Sequence, residues 1–580
     1  MNKWFVKSNR KNYAKIGEKY KIHPLIAKLL DNRDIEDLNQ FIDPSPENSY
    51  HDPFLMKDMD RAVDIIKKAI ADDKHIRIVG DYDQDGNSSI MTLMDGLGYF
   101  TENLSYDIPD RVEDGYGISK RIIDKAIYDG VDLIITCDNG ISAIEEVSYA
   151  KEKGLELIVT DHHQTIKKDD DEVLPDADAI LNPNRSDCKY PFKKLCGAGV
   201  AYKLVQAIGL SYGDSMTDFE ELLQYVCMGT VCDLVDLVDE NRYIVTEGLR
   251  QLNSTENYGI KSLIKASSLN KEVDAYALGY ILGPAINAGG RLSTAKLGVE
   301  LFLEENMDKV EAIAEKLVAL NNERKKLTDD GLARAIEVIE STPIKNDDIM
   351  IVKVDGVHES VCGIIAGRIK ERYNHPCLIL TGTKEEEILK GSGRSIEEYN
   401  IFKGFNKFRD LFESFGGHAM ACGLSIKEEK LEKFRTLVNE DSDLKQDDFA
   451  KKLYLDSSFY SDLISFDLIE ELDRMEPFGK SNPAPLLGDK NLEILKLDLL
   501  GKNKNVLKFK LLSRGKPVDG IMFNEVQEKL EYLEKKYGKD KVSNLFSGLN
   551  SNVRIDIVYS PQINEYKGFK NIQLVIKDLR

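Results

Sequence analysis

The stretch Ile76-Arg77-Ile78-Val79-Gly80-Asp81-Tyr82-Asp83-Gln84-Asp85-Gly86 reads as a short apolar strand that runs directly into three carboxylates at alternate positions before a glycine. A brief Ile/Val-rich run of this kind fits a strand buried in a parallel sheet. The residues that follow such a strand sit at its carboxyl end, where open α/β sheets bind ligands. Crowding acidic groups there is unfavourable unless a cation offsets them. An EF-hand calcium loop also opens D-x-D-x-D-G, but it needs a bidentate Glu at its twelfth position. Here that position is Thr92, and the preceding segment is a strand rather than a helix. A phosphatase with an aspartate nucleophile at a strand end is compatible with this stretch taken alone.

Downstream, Leu133 to Thr136, Leu155 to Thr160 and Ala179 to Leu181 are further strand-length apolar runs, alternating with helical periodicity as in a sheet covered by helices. Two of them end in Cys137-Asp138-Asn139-Gly140 and in Asp161-His162-His163. A lone Asp after a strand is commonly a turn former and a lone His a satisfied polar residue. Three parallel strands all delivering Asp or His to one edge are harder to explain in that way. Asp233 follows a segment containing Leu222, Leu223, Val226 and Met228; in isolation it is a helix cap. Together Asp81, Asp83, Asp85, Asp138, His162 and Asp233 make a carboxylate-rich set with one imidazole, which suits Mn²⁺ or Mg²⁺ better than zinc held by thiolates. The ligands suffice for two ions sharing Asp138, the arrangement that activates water and stabilises a leaving oxygen in phosphoryl displacement.

The chain has 580 residues, too many for one core, and ordinary domain sizes divide it into roughly three or four. From about residue 215 to 340 the pattern is helical and ends in Val310, Ile313, Leu317, Leu320 and Leu327, which predict a long connecting helix. Strand runs return at Ile349 to Val354, Cys377 to Thr381 and Ala421 to Ile426, with glycine-rich loops expected between them. Val506 to Leu512 and Val553 to Val558 alternate as in a small β-barrel, with a helical insert near residues 524 to 536.

Hydrophobic residues make up 42% of the chain and charged residues 31%, with no apolar run of the ~20 residues needed to cross a bilayer. The start, MNKWFVKSNRKN, is polar and basic rather than a secretory signal, so the expected location is the cytoplasm. The eight cysteines are scattered without C-x-x-C spacing and are expected to be reduced and buried. A net charge of −21 argues against nonspecific coating of nucleic acid. It does not exclude a local basic channel, and bound metal ions neutralise gathered carboxylates.

The ordered set D-Y-D-x-D-G, C-D-N-G-I, D-H-H and G-T-V-x-D resembles the four motifs of the DHH phosphoesterase superfamily. Within it, the chain resembles the RecJ family through I-P-x-R-x-x-x-G-Y-G (Ile108 to Gly117), L-C-G-A-G-V-A (Leu195 to Ala201) and G-P-x-I-N-A-x-G-R-L (Gly283 to Leu292). Further matches are V-H-E-S-V-x-G-I-I-A-x-R (Val357 to Arg368), G-S-x-R-S (Gly391 to Ser395), G-G-H (Gly416 to His418), E-P-F-G-x-x-N-P (Glu476 to Pro483) and N-E-Y-x-G (Asn564 to Gly568). The similarity covers nearly the whole chain. It implies an α/β fold: a parallel-sheet DHH domain with an N-terminal extension (1–305), a connecting helix (306–342), a DHH-associated second α/β domain (343–440), a connector (441–486) and an OB-like barrel that binds nucleic acid (487–580).

By the same resemblance, Asp85, His162 and Asp233 would hold one ion, Asp81 and Asp83 the other, with Asp138 bridging. His163 would sit beside the scissile phosphate, joining Asp138 and Asp85 as a catalytic residue. Arg111, Ser392 and Arg394 would grip a terminal 5′ phosphate, with Arg291 and His418 adding contacts; Arg suits this task because its planar fork binds phosphate bidentately. The implied activity is hydrolysis of single-stranded DNA from 5′ to 3′ to 5′ mononucleotides, with two Mn²⁺ or Mg²⁺ ions, in DNA repair and recombination. The implied partners are single-stranded DNA, a helicase and a single-strand-binding protein, with no membrane; a monomer is the default.

Read from the residues alone, Gly416 and Gly417 make a tight turn and Ser392 is a surface loop residue. Lys502, Lys504, Lys508, Lys510 and Arg514 form a basic stripe or simply a solvated sheet face, and Phe509, Phe523 and Tyr566 are stacking residues or core. Gln84 and Asn87 stand where the family commonly has small or apolar residues, and Gln84, between two candidate ligands, is positioned to alter metal preference. Two rivals remain: a DHH phosphodiesterase of short oligonucleotides, and a noncatalytic nucleic-acid-binding scaffold.

Overall fold

In a computed structural model of the chain, the described residues are all except 1, 8, 10, 112–113, 169–170, 384–386, 550 and 567. They fall into two compact units, one of residues 1–3, 53–233 and 248–451, the other of residues 4–52, 234–247 and 452–580. Among the described residues no helix is long and apolar enough to cross a membrane.

The first unit opens on a five-stranded parallel sheet: β1 (Ile76–Val79), β2 (Leu104–Asp107), β3 (Leu133–Cys137), β4 (Glu156–Thr160) and β5 (Ala179–Leu181) in the order β2-β1-β3-β4-β5. β1, β3 and β5 are wholly buried, as their unbroken apolar sequences require. β2, Leu-Ser-Tyr-Asp, escapes the sequence reading because it is a half-buried edge strand without an apolar run. The chain order reverses between β1 and β3, and the crevice at such a switch point is the ligand site of open α/β sheets.

Helices α1 (Gln84–Gly98), α2 (Gly197–Tyr212) and α3 (Leu223–Cys232) follow, and α4 (Gly283–Leu292) continues from a π-helical turn. The long helix expected from periodicity is α5 (Met307–Ser341), capped by the Asn306 side chain. It buries one stripe, with Val310, Ala314, Leu317, Asn321, Thr328, Gly331, Ala335 and Ile339 at the spacing of a single helical face.

A second sheet contains β6 (Met350–Lys353), β7 (Cys377–Gly382), β8 (Ile388–Arg394), β9 (Phe412–His418) and β10 (Ala421–Lys427) in the order β9-β10-β8-β7-β6. Only β6 and β7 run parallel. The glycine-rich segments expected as loops are strands: Ser392 lies on β8, and Gly416 and Gly417 lie on β9. The glycines permit close packing there, since a Cβ at Gly391 would stand 2.3 Å from the Ile379 carbonyl and one at Gly417 2.4 Å from that of Ala421. Helix α6 (Cys362–Tyr373) covers this sheet.

The second unit is built on a closed five-stranded barrel of β12 (Leu487–Leu500), β13 (Val506–Ser513), β14 (Lys516–Met522), β15 (Arg554–Tyr566) and β16 (Phe569–Leu579), sealed by pairing of β12 with β15, with the short β11 (Ser457–Ser458) added parallel to β12. The helical insert is a pair, Val526–Tyr537 and Lys539–Phe546, rather than one helix. On β13, Leu507, Phe509 and Leu511 point inward while Lys508 and Lys510 point out. Phe509 is therefore core, Phe523 is half exposed, and the side chain of Tyr566 lies outside the described residues. Residues 4–52, expected with the first domain, share the barrel's core through Leu25, Ile26, Leu29, Leu30 and Phe41. Arg242 locks this unit from within, its buried guanidinium donating to the carbonyls of Phe41, Arg474, Met475 and Glu476.

Candidate metal centre and adjoining basic cleft

The acidic residues converge because the strands that precede them are parallel. β1 delivers Asp81 and Asp83, and Asp83 caps α1 by accepting from the amides of Asp85 at 3.0 Å and Gly86 at 3.1 Å. Asp85, in the first turn of α1, accepts from the amides of Gly197 at 2.7 Å and Ala198 at 3.0 Å. These are the first amides of α2, so a helix N-terminus holds the carboxylate charge. Asp138 follows β3 with φ 60°, a left-handed conformation that Asp tolerates better than most residues. His162 follows β4, and Asp233 caps α3.

The Nε2 atom of His162 lies 3.1 Å from Asp138 Oδ1, 3.7 Å from Asp233 Oδ2 and 3.8 Å from Asp85 Oδ2. Two sets each offer three ligand atoms within 4.8 Å of one another: Asp85, His162 and Asp233, and Asp81, Asp83 and Asp138. A third such set joins Asp138 to His162 and His163. Burial and mutual repulsion push the carboxyls of Asp81, Asp83 and Asp138 above the usual range, and burial pushes His162 down. Asp81 Oδ1, Asp138 Oδ1 and His162 Nε2 are buried with no hydrogen-bond partner. Orphaned acceptors at this density fit bound cations, which reverse the electrostatic penalty.

Asp161, the first residue of D-H-H, has a role the motif alone did not reveal. It is buried and accepts from the amides of His162, His163 and Ile141 and from His163 Nδ1 at 2.8 Å. Burial opposes charge on His163, but this carboxylate and its neighbours outweigh it and raise the imidazole to about 9. Tyr116, another residue the sequence reading passed over, donates to the Asp138 carbonyl at 3.0 Å and lies 3.1 Å from His163 Nδ1.

Beside these groups is a cleft of about 500 Å³ whose lining includes Tyr82, Arg111, Tyr116, Arg291, Ser392 and Arg394. Arg111 lies 4.6 Å over the Tyr82 ring. Arg291 donates to the Ser360 carbonyl at 2.8 Å and falls to about 10 through burial and then repulsion from Arg111 and Arg324. On β8, Arg394 donates to Ser392 Oγ at 2.9 Å, and a Cβ at Gly363 of α6 would stand 2.9 Å from Arg394 Nη2. Lys390, two residues before Ser392 on β8, also lines the cleft and was missed in the sequence. His418 does not line it; this exposed residue at the end of β9 accepts from the Met420 amide. The Gln84 amide turns to Ser88 Oγ at 2.9 Å, and that of Asn87 to the Asp83 carbonyl at 2.5 Å.

The DHH family N-terminal domain matches residues 75–230, the DHHA1 domain residues 346–441 and the RecJ OB domain residues 455–578. The chain is 35% identical over 570 residues to the single-stranded-DNA-specific exonuclease RecJ of Bacillus subtilis, covering 97% of this chain and 69% of that one. It is 32% identical to the protein of the same name from Haemophilus influenzae, covering 97% of each. Among solved structures, RecJ of Thermus thermophilus in complex with Mn²⁺ superposes with a TM-score of 0.82 at 23% identity, over 100% of this chain and 79% of that one. An α/β fold of parallel-sheet, second α/β and barrel domains, these motifs in order, and this identity over almost the full length place the chain in the RecJ family.

Proposed function

We propose that the chain is a metal-dependent exonuclease that shortens single-stranded DNA from its 5′ end and releases 5′ mononucleotides. The observation that carries this reading is the contact between two chemistries in one unit: a buried carboxylate and imidazole centre with orphaned acceptors, and a basic cleft of Arg111, Arg291 and Arg394 beside it. Relatives named for single-stranded-DNA-specific exonuclease activity, and the Thermus thermophilus RecJ structures in complex with Mn²⁺ and with Mg²⁺, support it.

In this reading Asp85, His162 and Asp233 would hold one divalent ion and Asp81, Asp83 and Asp138 would hold a second. Mn²⁺ or Mg²⁺ bound there would supply an activated water and offset charge on the leaving oxygen. The amides of Gly197 and Ala198 orient Asp85. Asp161 and Tyr116 fix the His163 ring, whose raised affinity for a proton makes it a donor to the phosphate being cut. Arg111, Ser392 and Arg394 seat the terminal 5′ phosphate, with Arg291 beside them, so the first phosphodiester is the one presented. His418, away from the cleft lining, contributes contact only if the substrate extends to the end of β9.

Repair and recombination, a helicase or single-strand-binding partner and a monomeric state remain part of this reading. The test compares Asp138→Ala with the parent chain on single strands and on dinucleotides in Mn²⁺. An exonuclease loses turnover on single strands in the variant, a short-oligonucleotide enzyme prefers the dinucleotide, and a scaffold binds without cutting in both.

A further inference from the structure

The helix that ends at Arg291 begins well before the basic cleft. It starts at Ala275, passes through the π-helical turn Leu278–Leu282 and continues as α4. In that turn the Gly283 amide donates to the Leu278 carbonyl, five residues back, a rare geometry frequent at functional sites. Three glycines seat one side of the helix. A Cβ at Gly283 would stand 2.3 Å from Cys232 Sγ, one at Gly279 3.7 Å from Val231, and one at Gly290 2.5 Å from the Tyr82 carbonyl. Val231 and Cys232 directly precede Asp233, and Tyr82 separates Asp81 from Asp83. The helix thus runs along the acidic centre.

Tyr276 and Tyr280 lie four residues apart at the start of this helix, and Asn287 and Arg291 four apart on α4 beyond the π-helical turn. Tyr276 is 60% exposed and Tyr280 66% exposed. Single exposed aromatics are ordinary, but these two rings stack on each other, centroids 4.7 Å apart and planes within 24°. Further along, Asn287 Oδ1 is buried with no hydrogen-bond partner. Arg291 then faces the basic cleft.

We infer that Tyr276 and Tyr280 are a base-stacking platform for single-stranded nucleic acid, on a track that continues past Asn287 to Arg291. This rests on the single-strand reading above. Every base offers a π-face, so such a platform holds a strand without choosing its sequence. The helix from Tyr280 to Arg291 spans roughly 16 Å, the length of no more than about five stacked nucleotides at ~3.4 Å each. The rings therefore meet bases downstream of the terminal nucleotide and set affinity rather than the cutting step.

The test is steady-state kinetics of the full chain in Mn²⁺ on a 5′-phosphorylated single strand, intact or with abasic residues at the downstream positions. Tyr276→Ala/Tyr280→Ala is expected to raise KM about tenfold or more with kcat unchanged, and Tyr276→Phe/Tyr280→Phe to retain the parent KM. On the abasic strand the parent is expected to show the raised KM and the alanine pair to add nothing. An alanine pair with parental KM on the intact strand, or with an equal penalty on the abasic strand, overturns the platform alone. A parent chain that neither binds nor shortens any single strand overturns the single-strand reading and the platform with it.

Discussion

The main-chain amide of Gly197 donates to Asp85 Oδ2 at 2.7 Å, while the space where a Gly197 side chain would begin is filled by Asp138, with Cβ at 2.5 Å and Oδ1 at 2.7 Å. One glycine thus holds one candidate ligand and abuts another. Gly197→Ala is expected to displace Asp138 and lower turnover at least about 10²-fold, the scale of losing one preorganised electrostatic contact. Steady-state kinetics checks this, with circular dichroism confirming a retained fold.

That contact also marks the limit of what the sequence discloses. Asp81, Asp85, Asp138 and His162 were legible because each follows a short apolar run, and parallel strands bring their carboxyl ends to one edge. The amides on Asp85 come from Gly197 and Ala198, over a hundred positions away, and no local pattern announces them. Ser392 and Arg394 were legible as candidate phosphate ligands only through the family motif. Their glycine-dense surroundings read as loop, yet form a strand because Gly391 and Gly417 allow neighbouring backbone to approach. Tyr116 lay in a quoted motif without an assigned task, since its contacts to Asp138 and His163 are tertiary.

Removing Asp138 should act on cations before it acts on chemistry. Its Oδ1 atom is buried without a hydrogen-bond partner, and it belongs to sets with Asp81 and Asp83 and with His162. Asp138→Ala is expected to lose Mn²⁺ stoichiometry in titration calorimetry and to lower turnover at least about 10²-fold. Chelation of the parent chain should have the same kinetic effect, reversed by adding Mn²⁺.

Arg394→Ala removes a guanidinium held against Ser392 in the basic cleft. A charge-assisted hydrogen bond of this kind is worth ~1.5–3 kcal/mol, so KM for a 5′-phosphorylated strand is expected to rise about 10- to 100-fold. KM for a 5′-hydroxyl strand should barely change. Equal effects on both ends would remove the cleft from 5′-phosphate recognition.

Asp114 ties Asp110 to Ser119 and Arg121, accepting from the Asp110 amide at 2.7 Å, Ser119 Oγ at 2.8 Å and the Arg121 guanidinium. The Arg121 contact holds its carboxyl down at about 2, below the unfolded value of 3.8. The stability this contributes is complete above the unfolded value and is lost as pH falls through the folded one. The thermal midpoint of Asp114→Asn should therefore lie below that of the parent near neutrality, with the gap closing between about pH 4 and about pH 2.

The most direct measurement is a time course on a 3′-labelled single strand bearing a 5′ phosphate, in Mn²⁺ and with a chelator control. Cutting from the 5′ end predicts progressive shortening of the labelled strand, abolished by the chelator. Immediate release of labelled mononucleotide would reverse the polarity and contradict the assignment of Arg111, Ser392 and Arg394 to the 5′ phosphate.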